Sequence, residues 1–114
     1  MEGCPFCRVA AGTAPASVVF ADDEVVAFHD IAPRAPVHVL VIPRRHIASL
    51  GHASPGDRDL LGKLLAAAAE AARQTGIAAS GYRVVANTGA EGGQTVAHLH
   101  LHVLGGRPMR WPPG

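Results

Sequence analysis

Residues 97–104 read Ala97-His98-Leu99-His100-Leu101-His102-Val103-Leu104. Histidines and aliphatic residues alternate strictly, which is the period of a strand with two unlike faces, so the segment is expected to be β. On such a strand His98, His100 and His102 would line one face at intervals of about 6.6 Å, with Leu99, Leu101 and Val103 on the other. Charged, unpaired imidazoles on a buried face would be strongly unfavourable. The histidine face is therefore expected to be an open cleft that supplies hydrogen-bond partners.

The neighbouring segments give this strand a sheet to join. Tyr82 to Ala86 forms a preceding strand across the Gly-rich loop Thr88 to Gly93. Further upstream, Ser54-Pro55-Gly56-Asp57 carries the marks of a capping box, with a hydroxyl cap, Pro at the first helical position and a carboxylate three residues on. Leu60, Leu61, Leu64, Leu65, Ala68 and Ala72 then recur with helical period as far as the stop at Gly76. Val37 to Ile42 is a strand closed by Pro43, and Ser17–Ala21 with Glu24–Phe28 reads as a hairpin around Asp22-Asp23. Cys4 to Ala11 is expected to be a short helix with Pro5 in its first turn and Gly12 ending it. The sum is an α+β meander of five antiparallel strands with one long helix and a short N-terminal helix. Residues 1–114 form one domain, of which 105–114 is an irregular Pro- and Gly-rich tail.

Composition narrows the function. The chain has 114 residues, 48% hydrophobic and 17% charged, enough for one core. Ten basic and nine acidic residues give a net charge of +1, and their scatter argues against a phosphate-neutralising nucleic-acid surface. No apolar run approaches the roughly 20 residues of a membrane-spanning helix, and Met1-Glu2-Gly3-Cys4-Pro5 lacks a charged leader region. A cytoplasmic protein without nucleic-acid or membrane partners is expected.

Two groups of residues carry chemistry. Three histidines on one strand suit either a His-ligated catalytic zinc or a neutral imidazole nucleophile with neighbours that handle protons and anions. A strict i, i+2, i+4 strand spreads its outer two imidazoles by about 13 Å, too far for one ion, and Gly92-Gly93-Gln94-Thr95 offers small residues and a hydroxyl for a phosphate, so the nucleophile is favoured. Cys4 and Cys7 are the only cysteines. Their C-x-x-C spacing admits a metal site, a redox pair or two free thiols.

His98-Leu-His-Leu-His-Val-Leu104 resembles the signature of the histidine-triad (HIT) proteins, as do Gly93-Gln94-Thr95-Val96, Phe28-His29-Asp30-Ile31 and His38-Val-Leu-Val-Ile-Pro43. The likeness spans nearly the whole chain. The tail Gly105-Gly-Arg-Pro-Met-Arg-Trp-Pro-Pro-Gly114 is similar to that of the Hint branch, the nucleotide-binding phosphoramidases. His102 stands where related nucleotidyltransferases carry glutamine, which implies hydrolysis rather than transfer. The resemblance implies that His100 attacks the α-phosphorus of a purine nucleoside phosphoramidate or acyl-adenylate, giving a nucleotidyl-histidine that water hydrolyses to the nucleoside monophosphate.

It further implies that His102 contacts the phosphoryl oxygens and protonates the departing amine, that His38 relays protons or orients, and that Thr95 with the Gly93–Gln94 region holds developing charge. Asp30 would bind the ribose. Phe28, His29 and Ile31, with Phe6, Val9 and Leu40, would wall the base, Asn87 would contact ribose or phosphate, and Trp111 would reach toward a partner subunit in a homodimer. The C-x-x-C looks like that of bacterial members that hold a structural zinc, here with Cys4, Cys7, His46 and His98 as ligands and no catalytic metal. His52 is left outside this set as a solvated loop residue. The resemblance implies His98, His100, His102 and His38 as the catalytic set, and with His98 engaged by zinc, His102 rather than His98 is the general acid. A binding or scaffold protein that holds nucleotides with little turnover is the other reading.

Overall fold

A computed structural model describes residues 3–114, so the leader reading at Met1 and Glu2 falls outside the described residues. The chain runs α1 (Pro5–Ala10), β1 (Val18–Ala21), β2 (Val25–His29), β3 (Val37–Pro43), α2 (Arg58–Gln74), β4 (Tyr82–Val85) and β5 (Leu101–Gly105). All strand pairs are antiparallel, in the order β1-β2-β3-β5-β4. The expected five-stranded α+β fold is present, but it is not a plain meander. The β3–α2–β4 connection carries the chain past the position next to β3, and β5 fills that place.

Alternation sorts the sheet into two faces. Val25, Ala27, Val39, Val41, Leu101 and Val103 pack against α2, which contributes Leu60, Leu64, Ala67, Ala68, Ala71 and Ala72. Of the helical stripe read from sequence, Leu65 is instead exposed, because Ala67 and Ala71 lie nearer the Leu60–Leu64 line at 3.6 residues per turn. The other face presents Val26, Phe28, Leu40 and Ile42 to Phe6, Val9 and Ala10 of the α1 segment.

Termini follow the local signals. Ser54 and Asp57 form the reciprocal capping box, although the first turn, Pro55–Asp57, is a tighter 3₁₀ turn before α2 begins. Gly76 takes a φ of 80° just past α2, where a side chain would be strained. The irregular tail begins at Gly106, since Gly105 ends β5 in register with Val37 and Tyr82. No helix among the described residues is long and apolar enough to cross a membrane.

The histidine segment departs from expectation. Strand geometry starts only at Leu101; residues 97–100 are irregular. The ladder to β3 stops at Val41↔Leu101, and Leu99 N–H donates instead to the Ile47 carbonyl beyond the end of β3, at 2.6 Å. The backbone therefore rotates through the three histidines, and they do not share one face.

Candidate active site and metal centre

The rotation delivers the histidines to two places. His98 is fully buried, with Nδ1 3.3 Å from Cys4 Sγ, 3.4 Å from Cys7 Sγ and 3.1 Å from His46 Nδ1. Cys7 Sγ also lies 3.2 Å from His46 Nδ1. Tetrahedral zinc with bonds of about 2.3 Å to sulfur and about 2.0 Å to nitrogen would separate S and N by about 3.5 Å and the two nitrogens by about 3.3 Å. The four groups fit such an ion closely.

The hydrogen bond behind His98 agrees. Its Nε2 sits 2.9 Å from the Pro43 carbonyl oxygen, which can only accept, so Nε2 carries the hydrogen and Nδ1 presents its lone pair to the cluster. Burial pushes the His98 imidazole toward its neutral form and, with Cys4 beside it, raises the Cys7 thiol. No disulfide joins the cysteines, and no βαβ unit surrounds them as a thioredoxin-like pair would require.

His100 and His102 line a cleft of about 550 Å³ on the α1 face of the sheet. Their ring centroids are 5.0 Å apart, and the Phe6 ring stands edge-on to both His100 (5.1 Å) and His98 (6.0 Å). His100 Nδ1 lies 2.7 Å from the His98 carbonyl oxygen, so Nδ1 carries the hydrogen and Nε2 keeps its lone pair.

A second chain of bonds fixes His102. Arg34 N–H donates to His38 Nδ1 at 3.1 Å, which puts the His38 hydrogen on Nε2. His38 Nε2 then donates to His102 Nδ1 at 2.8 Å, leaving His102 with its hydrogen on Nε2. Burial lowers the His38 pKa, with the Arg34 charge adding to the effect, and takes His102 to about 4, again mainly by burial, so both rings are neutral at pH 7. Asp30 Oδ2 is 3.5 Å from His38 Nε2, and Asp30 Oδ1 accepts the Ala32 N–H at 2.8 Å.

Asp30, His38 and His102 also have the composition of a metal site, but their wiring opposes one. A ligating imidazole donates its other N–H to an acceptor, as His98 does, whereas the far nitrogen of His38 faces a backbone donor. His98 points into the cysteine cluster, so one ion bound by all three histidines is excluded as well.

Of the other expected site residues, Phe28, His29, Asp30, Ile31 and Thr95 line the cleft. Asn87, Gly93, Gln94 and Trp111 are not in its lining. Gln94 spends both ends of its amide on structure, donating to the Ala48 and Val96 carbonyls and accepting from Gly89 N–H. Asn87 donates to the Gly92 carbonyl at 2.6 Å. Gly92 is required by crowding, since a Cβ there would lie 2.3 Å from the Thr88 carbonyl oxygen. Trp111 is 82% exposed. His52, left out of the metal set, is exposed and bonded to Ser49. Sequence reading missed Arg34 and the Ala14–Ala16 segment as cleft walls; they carry no periodic signal and arrive through loop packing.

A partly buried Cys₂His₂ cluster beside a cleft with two further wired histidines, on a five-stranded sheet with one long helix, defines a histidine-triad protein. The model for the HIT domain matches residues 11–109, and the chain belongs to that family. An uncharacterized HIT-like protein of Synechocystis is 51% identical over 113 residues, covering 99% of this chain and 98% of that protein. A HIT family hydrolase from Legionella pneumophila superimposes with a TM-score of 0.95 at 48% identity, covering 98% of this chain and all of that one. A zinc-bound histidine triad family protein from Mycobacterium smegmatis aligns with a TM-score of 0.78 at 32% identity, over 93% of this chain and 76% of that one.

Proposed function

We propose that this chain is a nucleotide hydrolase of the Hint type, one HIT domain over residues 1–114, that cleaves the P–N bond of purine nucleoside phosphoramidates and the corresponding bond of acyl- and aminoacyl-adenylates. The observation that carries the reading is the pair of opposite tautomers facing one cleft. His100 offers a bare Nε2, and His102 a hydrogen-bearing Nε2. The hydrolase superimposing at TM-score 0.95 supports the class of reaction.

In the first half-reaction His100 Nε2 forms a bond to the α-phosphorus while the phosphorus–nitrogen bond breaks. The departing nitrogen leaves with the bonding electron pair and takes the hydrogen held on His102 Nε2, and the negative charge this leaves on His102 is matched by the positive charge the His100 ring gains on bonding phosphorus. His38 Nε2–H holds His102 through Nδ1 while this happens. In the second half, water adds to phosphorus, one of its hydrogens returns to His102, and His100 is released with the nucleoside monophosphate. Asp30, which lines the cleft, would accept from the ribose hydroxyls, and the apolar lining residues Phe6, Val9, Phe28 and Leu40 would wall the base. Shape-reading walls of this kind select purines without separating adenine from guanine strictly.

Cys4, Cys7, His46 and His98 are the residues that would hold zinc, and a closed tetrahedral ion there supplies structure, pinning α1 to the sheet. The zinc-bound relative supports this assignment. The reduced cysteine pair accords with a cytoplasmic location. A homodimer is part of the same reading: the β4 edge exposes Tyr82 and Val84, and the tail exposes Trp111, surfaces that a second copy would cover. The test is AMP release from adenosine 5′-phosphoramidate by wild type and His100→Gly, with and without chelator. Loss in the variant alongside turnover that resists chelator at saturating substrate, while the fold survives, supports the reading, whereas equal rates in both proteins leave nucleotide binding without this chemistry.

A further inference from the structure

The cleft is unevenly charged along its length. Its α1 and β2 end is mostly apolar, and Arg8 there is engaged by other groups of the chain. Arg34, from the β2–β3 loop, also lines the cleft, is exposed, and makes no side-chain hydrogen bond or ion pair among the described residues. Its charge is felt inside the site, where it contributes to holding His38 neutral.

Further arginines stand behind Arg34. The Arg34 carbonyl accepts Arg107 Nη2 at 3.1 Å, which ties the β2–β3 loop to the tail. Arg83 pairs in register with Leu104, and Leu104 with His38, so Arg83 shares the cleft face of the sheet. Its Nη2 donates to the Arg110 carbonyl at 2.5 Å. None of these four arginines has a carboxylate partner among the described residues. Asp30, the one acid lining the cleft, is turned to His38. For a chain of net charge +1, this is a marked local excess of positive charge.

The direction of reaction points the same way. Attacking and departing atoms at phosphorus lie roughly in line. His100 is buried, so a group leaving away from it passes outward to the open side of the cleft, where Arg34 is one of the exposed lining residues. We propose that Arg34, backed by Arg107, forms a subsite for an anionic leaving group, and that the preferred substrates release an amine bearing a carboxylate. This rests on the hydrolase reading above. A planar guanidinium can take such a carboxylate in two parallel hydrogen bonds.

The experiment compares kcat/KM for three compounds: adenosine 5′-phosphoramidate, its β-alanine conjugate and its neutral β-alaninamide conjugate. The two leaving amines differ in basicity, so the decisive quantity is how their ratio changes between proteins. Wild type is expected to favour the carboxylate over the amide by about fivefold, as for a solvent-exposed charge pair, and high salt should shrink that preference. Arg34→Gln should bring the ratio close to one, and Arg34→Lys should keep a large part of it. A wild-type ratio near one with the parent compound hydrolysed, or a ratio unmoved by Arg34→Gln, overturns the subsite alone. Failure to hydrolyse any of the three overturns the hydrolase reading and the subsite with it.

Discussion

The carbonyl oxygen of His98 accepts the Nδ1 hydrogen of His100 at 2.7 Å, so the residue that presents its ring to Cys4 and Cys7 also sets the tautomer of the ring in the cleft. The cysteine cluster and the cleft are thus two residues apart along the chain and joined by one bond. Replacing His100 with Ala should lower phosphoramidate turnover roughly a thousandfold or more. Calorimetry should still detect AMP binding, because the apolar wall and Asp30 remain.

In the proposed mechanism His38 acts through His102, to which it is hydrogen-bonded. His38→Ala removes the donor that holds His102 Nδ1 and is expected to reduce kcat by about tenfold to a hundredfold, the worth of one buried hydrogen bond to a reacting group, with a smaller change in KM. His38→Gln, whose amide N–H can donate, should recover part of the loss. Equal losses in both variants would point to packing alone.

Acid should loosen the fold through the same rings. His102 has a pKa of about 4 in the folded protein against 6.5 for an ordinary histidine. Below pH 6.5 the unfolded chain therefore binds a proton that folded His102 refuses. Stability is fully present above that pH and is lost as pH falls toward 4, with His38 and His98 shifted in the same direction. For His102 alone, allowing for its partial exposure, the loss by pH 4 is about 2 kcal/mol. Denaturant titrations at a series of pH values read it directly.

Metal analysis of the purified protein should find one zinc per chain. Stripping it, or making Cys4→Ser, is expected to cost several kcal/mol and to lower the thermal midpoint. Because Phe6 and Val9 of α1 line the cleft, KM should rise as well. A protein whose melting curve ignores both chelator and Cys4→Ser would have a different N-terminal anchor.

Gly92→Ala tests the loop before the histidines. The added Cβ would meet the Thr88 carbonyl at 2.3 Å, so the turn must open, at a cost of about 1–3 kcal/mol. The Asn87–Gly92 hydrogen bond should be lost with it, detectable in the Asn87 side-chain amide resonances.

Much of the molecule is local in origin, and that part was legible in the order of residues. The Ser54–Asp57 capping box, the stop at Gly76, the hairpin around Asp22-Asp23 and the apolar face of α2 depend on neighbours within a few positions, where spacing and residue type suffice. The pairing of Cys4 with Cys7 and the special weight of His98, His100 and His102 were visible in the same way. Only the tertiary structure decided how those histidines divide. An alternating pattern predicts a common face, yet the β3–β5 ladder ends at Val41↔Leu101, Leu99 turns to Ile47, and His98 swings into the cysteine cluster while His100 and His102 stay in the cleft. The protonated nitrogen of each ring likewise depends on the Pro43 carbonyl, the His98 carbonyl and the Arg34 amide. Periodicity encodes which residues can share a face; where the ladder ends, and which donor or acceptor stands behind a ring, are set by contacts between segments remote in sequence.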